Sequence, residues 1–340
     1  MDKMFKRTLL GAAIAMAAVG SSANAAIDLN GKAVQVYGQA AGFVTIASPD
    51  KGDDKVSATI ESRIGFRGVV EFQDFGPDLL WQIEGGNANN GGFDPDAPWT
   101  HAENGQLGAR DTYLGLGFDG VGSIKYGRQL VAAYNYVDWP HSNPGLGNVF
   151  DWNNDIDASY QDRADNVIRF DSETFGGFNY QVTLSGMEDT VDGLVINVAG
   201  SYQAGPVNLH AGVYHQDTYE NKTKGGLKYY LAGATAGFDN WTLTGALKFM
   251  KNDLNDGEQM AYSVTGQYVN NSWVYKLGVS GTNDAKFDGN KKADTKDLAV
   301  TARLGYLLPS TYLFMDLRNY KMNNADGFDN NLLIGAEYYF

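Results

Sequence analysis

The chain has 340 residues, with 26 Lys plus Arg against 40 Asp plus Glu, 42 Gly, 8 Pro and no Cys. A net charge of −14 argues against nucleic-acid binding, which needs basic patches to displace phosphate counterions. The lack of cysteine excludes a disulfide framework, so stability has to come from the hydrogen-bonded fold itself.

Lys3, Lys6 and Arg7 precede the apolar run Leu9–Val19, which ends at Ala23-Asn24-Ala25. A positive start, a short apolar run and an A-x-A site predict a cleaved signal peptide over residues 1–25 and a single domain over 26–340. Removing Lys3, Lys6, Arg7 and Asp2 leaves 23 basic against 39 acidic residues, a charge of −16. A transmembrane helix needs about 20 apolar residues, more than this run supplies. Nowhere after Ala25 do about 18 apolar residues run together. With a negative mean hydropathy, the compatible membrane-spanning structure is a β-barrel, in which only every second residue meets lipid.

Period-two alternation predicts strands at 33–46, 57–72, 79–87, 109–118, 122–128, 163–172, 178–187, 194–203, 207–216, 226–238, 241–250, 259–269, 273–281, 297–308, 311–321 and 331–340. In the seventh, Phe178, Tyr180, Val182 and Leu184 alternate with Asn179, Gln181, Thr183 and Ser185. The even-numbered connections are short. Most odd-numbered ones are longer and polar, including Asp217–Gly225 and Lys251–Glu258, whereas the seventh, Glu188–Gly193, reads as a short exception. Outer-membrane barrels sort their connections this way. The predicted fold is therefore all-β, a 16-stranded antiparallel transmembrane barrel with both termini on the periplasmic side, and a barrel of that size keeps an aqueous channel.

The third odd connection, Gln129–Asp162, is long, aromatic and acidic, with no Lys or Arg. A structureless insertion of that length is usually functional. It is predicted to fold into the barrel and narrow it. In the last strand Leu332, Ile334, Ala336, Tyr338 and Phe340 share one face, and the chain stops on Phe340. Tyr338 and Phe340 resemble the C-terminal signal read by the outer-membrane barrel-assembly machinery.

Several motifs, in order, resemble those of the trimeric general diffusion porins of Gram-negative bacteria. They are Tyr37-Gly38, Ser62-Arg63-Ile64-Gly65-Phe66-Arg67-Gly68, Arg110-Asp111-Thr112-Tyr113-Leu114-Gly115, Gly122–Arg128 before the long loop and Arg163–Ser172 after it. The resemblance implies an outer-membrane channel for passive diffusion of small hydrophilic solutes and ions, with no cofactor. It also implies a constriction in which loop acids face an arginine wall. Carried over by motif, the wall is Arg63, Arg110 and Arg163, with Arg67, Arg128 and Arg169 as neighbours. Gln39 lines the pore where some members have a lysine after Tyr-Gly, and the expected loop acids are Asp138, Asp151, Asp155 and Asp157. One basic charge fewer and a strongly acidic loop predict a weak cation preference.

A homotrimer is implied by the resemblance and by the small outward residues Gly38, Ala40 and Gly42, to which Gly68, Gly115 and Gly117 are added. Outer-membrane lipid and lipopolysaccharide are the expected surroundings. The alternative is a substrate-specific oligosaccharide channel, with Tyr134, Tyr136, Trp139 and Trp152 as a stacking track. No enzyme site is read from His101, His141, His210 or His215. The calcium-loop-like spacing of Asp151, Asn153, Asp155, Asp157 and Asp162 has Ile156 where Gly is required and Asp162 where a bidentate Glu belongs, so no metal site is assigned.

Overall fold

The computed structural model describes residues 26–88, 106–137, 144–151, 153–187 and 191–340. The expected signal peptide, most of the Ala88–Gly108 connection, His101, Asp138, Trp139, His141 and Trp152 lie outside these residues.

Sixteen antiparallel staves form the wall among the described residues. They are β1 Val34–Ser48, β2 Lys55–Ile60 continued by Ser62–Val70, β3 Asp78–Ala88, β4 Thr112–Phe118, β5 Gly122–Leu130 and β6 Arg163–Ser172. Then follow β7 Phe178–Ser185, β8 Val195–Ala204, β9 Val207–Tyr219, β10 Lys224–Phe238 and β11 Trp241–Asn252. The last are β12 Gly257–Asn270, β13 Trp273–Thr282, β14 Leu298–Leu308, β15 Thr311–Lys321 and β16 Asp329–Tyr339. β16 pairs back onto β1, and Gly38 and Phe340 exchange backbone hydrogen bonds of 2.8 and 3.0 Å, which closes the sheet. Closure leaves no open edge of backbone donors and acceptors in lipid. Gly38 is needed at this seam, because a Cβ there would sit 2.7 Å from the Phe340 ring.

Alternation decides which side chains meet lipid. In β15, Leu313, Met315 and Leu317 are 41%, 40% and 47% exposed, while Phe314 and Asp316 between them are 6% and 1% exposed. The same parity corrects part of the outward small face. Gly115 pairs with the buried Lys125 and Gly117 with the buried Ser123, so both glycines point inward, while Leu114 and Tyr126 take the outer side. Gly68 pairs with Trp81 on the outward face, as expected.

Three connections differ from the sequence reading. Asp217–Gly225 and Lys251–Glu258 tighten, because the strands run on to Tyr219, Lys224, Asn252 and Gly257. Glu220, Asn221, Lys222 and Asp256 make the turns at positive φ, a region that Asn and Asp tolerate. The seventh connection lengthens instead, because β7 stops at Ser185 before Gly186 at φ 75 and β8 starts only at Val195. The wall is uneven in consequence: β9, β10 and β12 run 13, 15 and 14 residues, whereas β4 and β7 have 7 and 8.

The largest apolar cluster lies inside the barrel. Residues 131–162 leave β5 and, among the described residues, carry two short helices, α1 Ala132–Val137 and α2 Gly147–Phe150. Ala132, Tyr136, Phe150 and Ile156 from this loop pack on Val195, Tyr214, Tyr229 and Met250 of β8 to β11. Burying such side chains stabilises by about 1.5–3 kcal/mol each, enough to hold an otherwise irregular loop against the wall.

Candidate functional site

The inward faces of β2 to β6 carry most of the predicted basic wall. Arg63 and Arg67 share the inner face of β2, with Gln39 of β1 paired to Arg63 and Gln35 paired to Arg67. Gly86 of β3 lies beneath Arg63 and Arg110, since a Cβ there would approach Arg110 Cδ to 2.5 Å and Arg63 Cγ to 2.9 Å. Arg163 lies within electrostatic reach of Arg110. The geometry therefore brings Arg63, Arg110 and Arg163 together.

Each of these cations is matched by an acid that the sequence reading passed over. Arg110 Nε donates to Glu84 Oε1 at 2.6 Å, and the Tyr37 hydroxyl donates to Glu84 Oε2 at 2.7 Å. Arg163 Nε donates to Asp111 Oδ1 at 2.8 Å. Arg63 Nη2 lies 3.7 Å from Glu61, at the break in β2. Arg67 donates to Gln35 Oε1 at 3.3 Å and lies 4.7 Å from the Tyr37 ring centroid. Paired guanidinium and carboxylate groups offset most of each other's field at a distance, so this wall is polarised more than it is positive.

Two of the expected neighbours belong elsewhere. Arg169 points inward but is buried: it shares Asp171 with Lys125, at 2.9 and 2.7 Å, and reaches Leu130 O at the root of the loop. Arg128 lies on the opposite face, because it pairs with Thr112 in the parity of Ile124 and Tyr126. Its partners are Ala109 O at 2.7 Å and Asp165 at 3.0 Å.

The loop acids depart further from expectation. Asp138 lies outside the described residues. Asp151 is buried, 9% exposed, and its carbonyl accepts from Lys248 on the wall at 2.8 Å. Asp155 is tied at the outer mouth, its N–H donating to Gln259 Oε1 at 2.8 Å and its carboxylate accepting from Asn323 and Gln259. Asp297, at the end of the 283–297 connection, accepts from the Asn323 N–H at 2.6 Å and from Asn153. Burial, with a further push from the Asp155 carboxylate, raises the Asp297 carboxyl to about 6. Asp157 is exposed at φ 55, and its carbonyl accepts from Asn252 at 3.3 Å. The sequence placed these acids on one loop. The loop's path takes Asp151 to the wall and Asp155 to the mouth.

The described loop tyrosines Tyr134 and Tyr136 pack on their surroundings. Tyr136 is buried, its hydroxyl donating to Asn179 at 2.6 Å, and Tyr134 packs against Val131 and Val167. Tyr136 is thus withdrawn from the expected track, Tyr134 is half-buried, and the other members, Trp139 and Trp152, lie outside the described residues.

A second charged cluster, absent from the sequence reading, faces inward on β14 and β15. Arg303 grips Asp316 through two bonds of 2.5 and 2.8 Å, Arg318 Nη2 adds a third of 2.6 Å, and Arg303 stacks 4.2 Å from the Phe314 ring centroid. Gly145 of the loop rests on it at φ 86, where a Cβ would lie 2.8 Å from Arg318 Cδ. The alternation of β15 places Asp316 inward, but its partner Arg303 emerges only from the register of β14 against β15.

At the closing seam, Tyr338 is half-exposed on the outer face with its ring stacked near that of Phe340, the two centroids 6.3 Å apart. The comparisons agree with this architecture. A family model described as Gram-negative porin matches residues 12–331. A chitoporin of Vibrio furnissii is 34% identical, over 90% of this chain and 91% of its own. The anion-selective porin from Comamonas acidovorans superposes with a TM-score of 0.71 at 21% identity, covering 91% of this chain and 99% of that one. A trimer form of OmpT from Vibrio cholerae superposes with a TM-score of 0.63 at 14% identity, covering 90% and 99%.

Proposed function

The chain belongs to the Gram-negative porin family, and on that premise we propose that it is a channel for passive diffusion of small hydrophilic solutes and ions across the outer membrane, with a weak cation preference. The observation that carries the preference is the pairing of the basic wall. Glu84 and Asp111 accept from Arg110 and Arg163, which would otherwise attract anions. The mature chain's charge of −16 then sets the sign at the mouth. Reversal potential in a planar bilayer across a KCl gradient tests this: a cation-selective sign is expected, and an anion-selective one overturns it.

Oligomeric assembly is part of the same proposal. β4, at 7 residues, is shorter than the 9–11 or so residues that span a bilayer. The ion pair Arg128–Asp165 also lies on the outer side nearby, where lipid contact is costly. Both fit a wall covered by neighbouring copies in a homotrimer, as does the small outward face Gly38, Ala40 and Gly42. Tyr338 and Phe340 are proposed as the strand end engaged by the assembly machinery, and the acidic outer loops as the surface beside lipopolysaccharide.

A second reading, an oligosaccharide channel, is favoured by the 34% identity with the chitoporin. Tyr136 is buried away from any such track. Saturable block of single-channel current by chitin oligosaccharides, absent with unrelated sugars of similar size, would establish it in place of general diffusion.

A further inference from the structure

Lys248 is the one cation set into the apolar bed beneath the third loop, among the described residues. It sits on the inner face of β11 and is 2% exposed. Its wall neighbours in register are Leu231 and Ala261, and along its own strand Ala246 and Met250 share its face, all of them apolar and buried. Above it lies the loop. Lys248 Nζ donates to Asp151 O at 2.8 Å, at the residue that closes α2, and lies 5.4 Å from the Phe150 ring centroid and 5.7 Å from that of Tyr229. The carboxylates of Asp151 and Asp162 lie within its electrostatic reach.

An ammonium taken out of water is costly unless it is matched by hydrogen bonds and opposite charge. Every compensating group apart from Tyr229 comes from the loop, not from the wall. If the limb through Asp151 lifts, Lys248 loses its acceptor and regains water. It then stands as a positive charge on the lumen wall across from the arginines. A methionine of similar length would fill the bed with no such dependence on loop position.

We propose that Lys248 is a positioning and specificity-determining residue that couples the loop's place to the channel's selectivity. Loop docked, its charge is withdrawn from the ion path; loop lifted, the charge enters that path and the channel turns toward anions. The proposal rests on the channel reading above and goes beyond it.

The test is single-channel recording of the full-length protein reconstituted in planar bilayers, with reversal potentials measured separately for the main state and for substates evoked at raised voltage. For the unaltered protein, substates are expected to be less cation-selective than the main state. Lys248→Met is expected to change how often substates appear, because it exchanges the tie to Asp151 for apolar packing, and to give them the reversal potential of the main state. A disulfide between Ile156→Cys and Gly257→Cys pins the same limb; the Cβ positions lie 2.9 Å apart, the native chain has no cysteine, and a small backbone shift brings the pair into disulfide range. Oxidised, this pair is expected to suppress substates with Lys248 present or replaced, and reduction to restore them.

Substates in Lys248→Met that remain as anion-shifted as in the unaltered protein would overturn the proposal, as would an unchanged substate frequency. Should Lys248→Met not assemble, as judged by heat-modifiable migration, the disulfide decides on the native lysine: anion-shifted substates persisting in the oxidised state refute the coupling. Absence of any conductance in the unaltered protein would instead refute the channel reading.

Discussion

The two halves of the inner wall are built from the same alternating pattern, yet they do different things. On β2 to β6 the charged inward residues are arranged in pairs, Arg110 with Glu84 and Arg163 with Asp111. On β8 to β12 they are apolar side chains such as Leu231 and Met250, amides, hydroxyls, tyrosines, His210 and one lysine, and the third loop lies over them through Phe150 and Ile156. Both faces satisfy the rule that polar side chains turn away from lipid. The difference teaches that parity assigns a residue to the lumen, while the loop decides whether a solute can meet it.

Undoing the cover is expected to have the largest effect. Ile156 is fully buried against the wall, so Ile156→Asp places a carboxylate in an apolar bed at a cost of several kcal/mol. The loop should leave its bed while the barrel, held by its own ladders, still forms. Conductance should rise well above that of the unaltered protein with heat-modifiable migration retained, and an unchanged conductance would argue against the loop as the constriction.

Changes to the charged half come next. Glu84→Gln leaves Arg110 without its carboxylate, and reversal potential should move toward anions. Replacing Arg63, Arg110 and Arg163 together by serine should move it the other way, by a several-fold rise in the cation-to-anion permeability ratio. Selectivity indifferent to all four residues would remove this wall from the ion path.

A smaller, pH-dependent effect is expected where the loop meets the mouth. Burial and Asp155 raise the Asp297 carboxyl to about 6, above the ordinary aspartate value of about 3.9. A raised acid favours the folded arrangement when protonated, so its contribution is whole below pH 4 or so and is lost as pH rises through about 6. That difference is worth about 2–3 kcal/mol at most. Amide hydrogen exchange over residues 153–157, corrected for intrinsic rates, should be more protected at pH 4.5 than at pH 7.5, and Asp297→Asn should flatten the difference. The smallest effect is at Lys51–Asp326, 2.9 Å apart and largely exposed, where Lys51→Ala should leave reversal potential and melting temperature unchanged within error.

What was legible in the sequence follows from what period two can encode. Sixteen strands, the inward parity of Arg63 and Arg67 and the long third loop are local properties, each visible within about ten residues. Glu84 and Asp316 share that local signal, as inward acids within alternating strands. Their partnership with Arg110 and Arg303 is not local, because it depends on which residues two strands bring opposite each other. The sorting of the loop acids was hidden for the same reason. Asp151, Asp155 and Asp157 look equivalent along the chain, and contacts with Lys248, Gln259 and Asn252, some 95 to 104 residues away, separate them.

The sequence by itself determined a barrel, its strand count, its lipid-facing side and the position of the long third loop, because each rests on alternation and connection lengths among near neighbours. The tertiary structure alone decided which lumen charges are paired and that the loop hides Lys248. Cross-strand register and the packing of a loop on a distant wall bring together residues whose separation along the chain carries no trace of the contact.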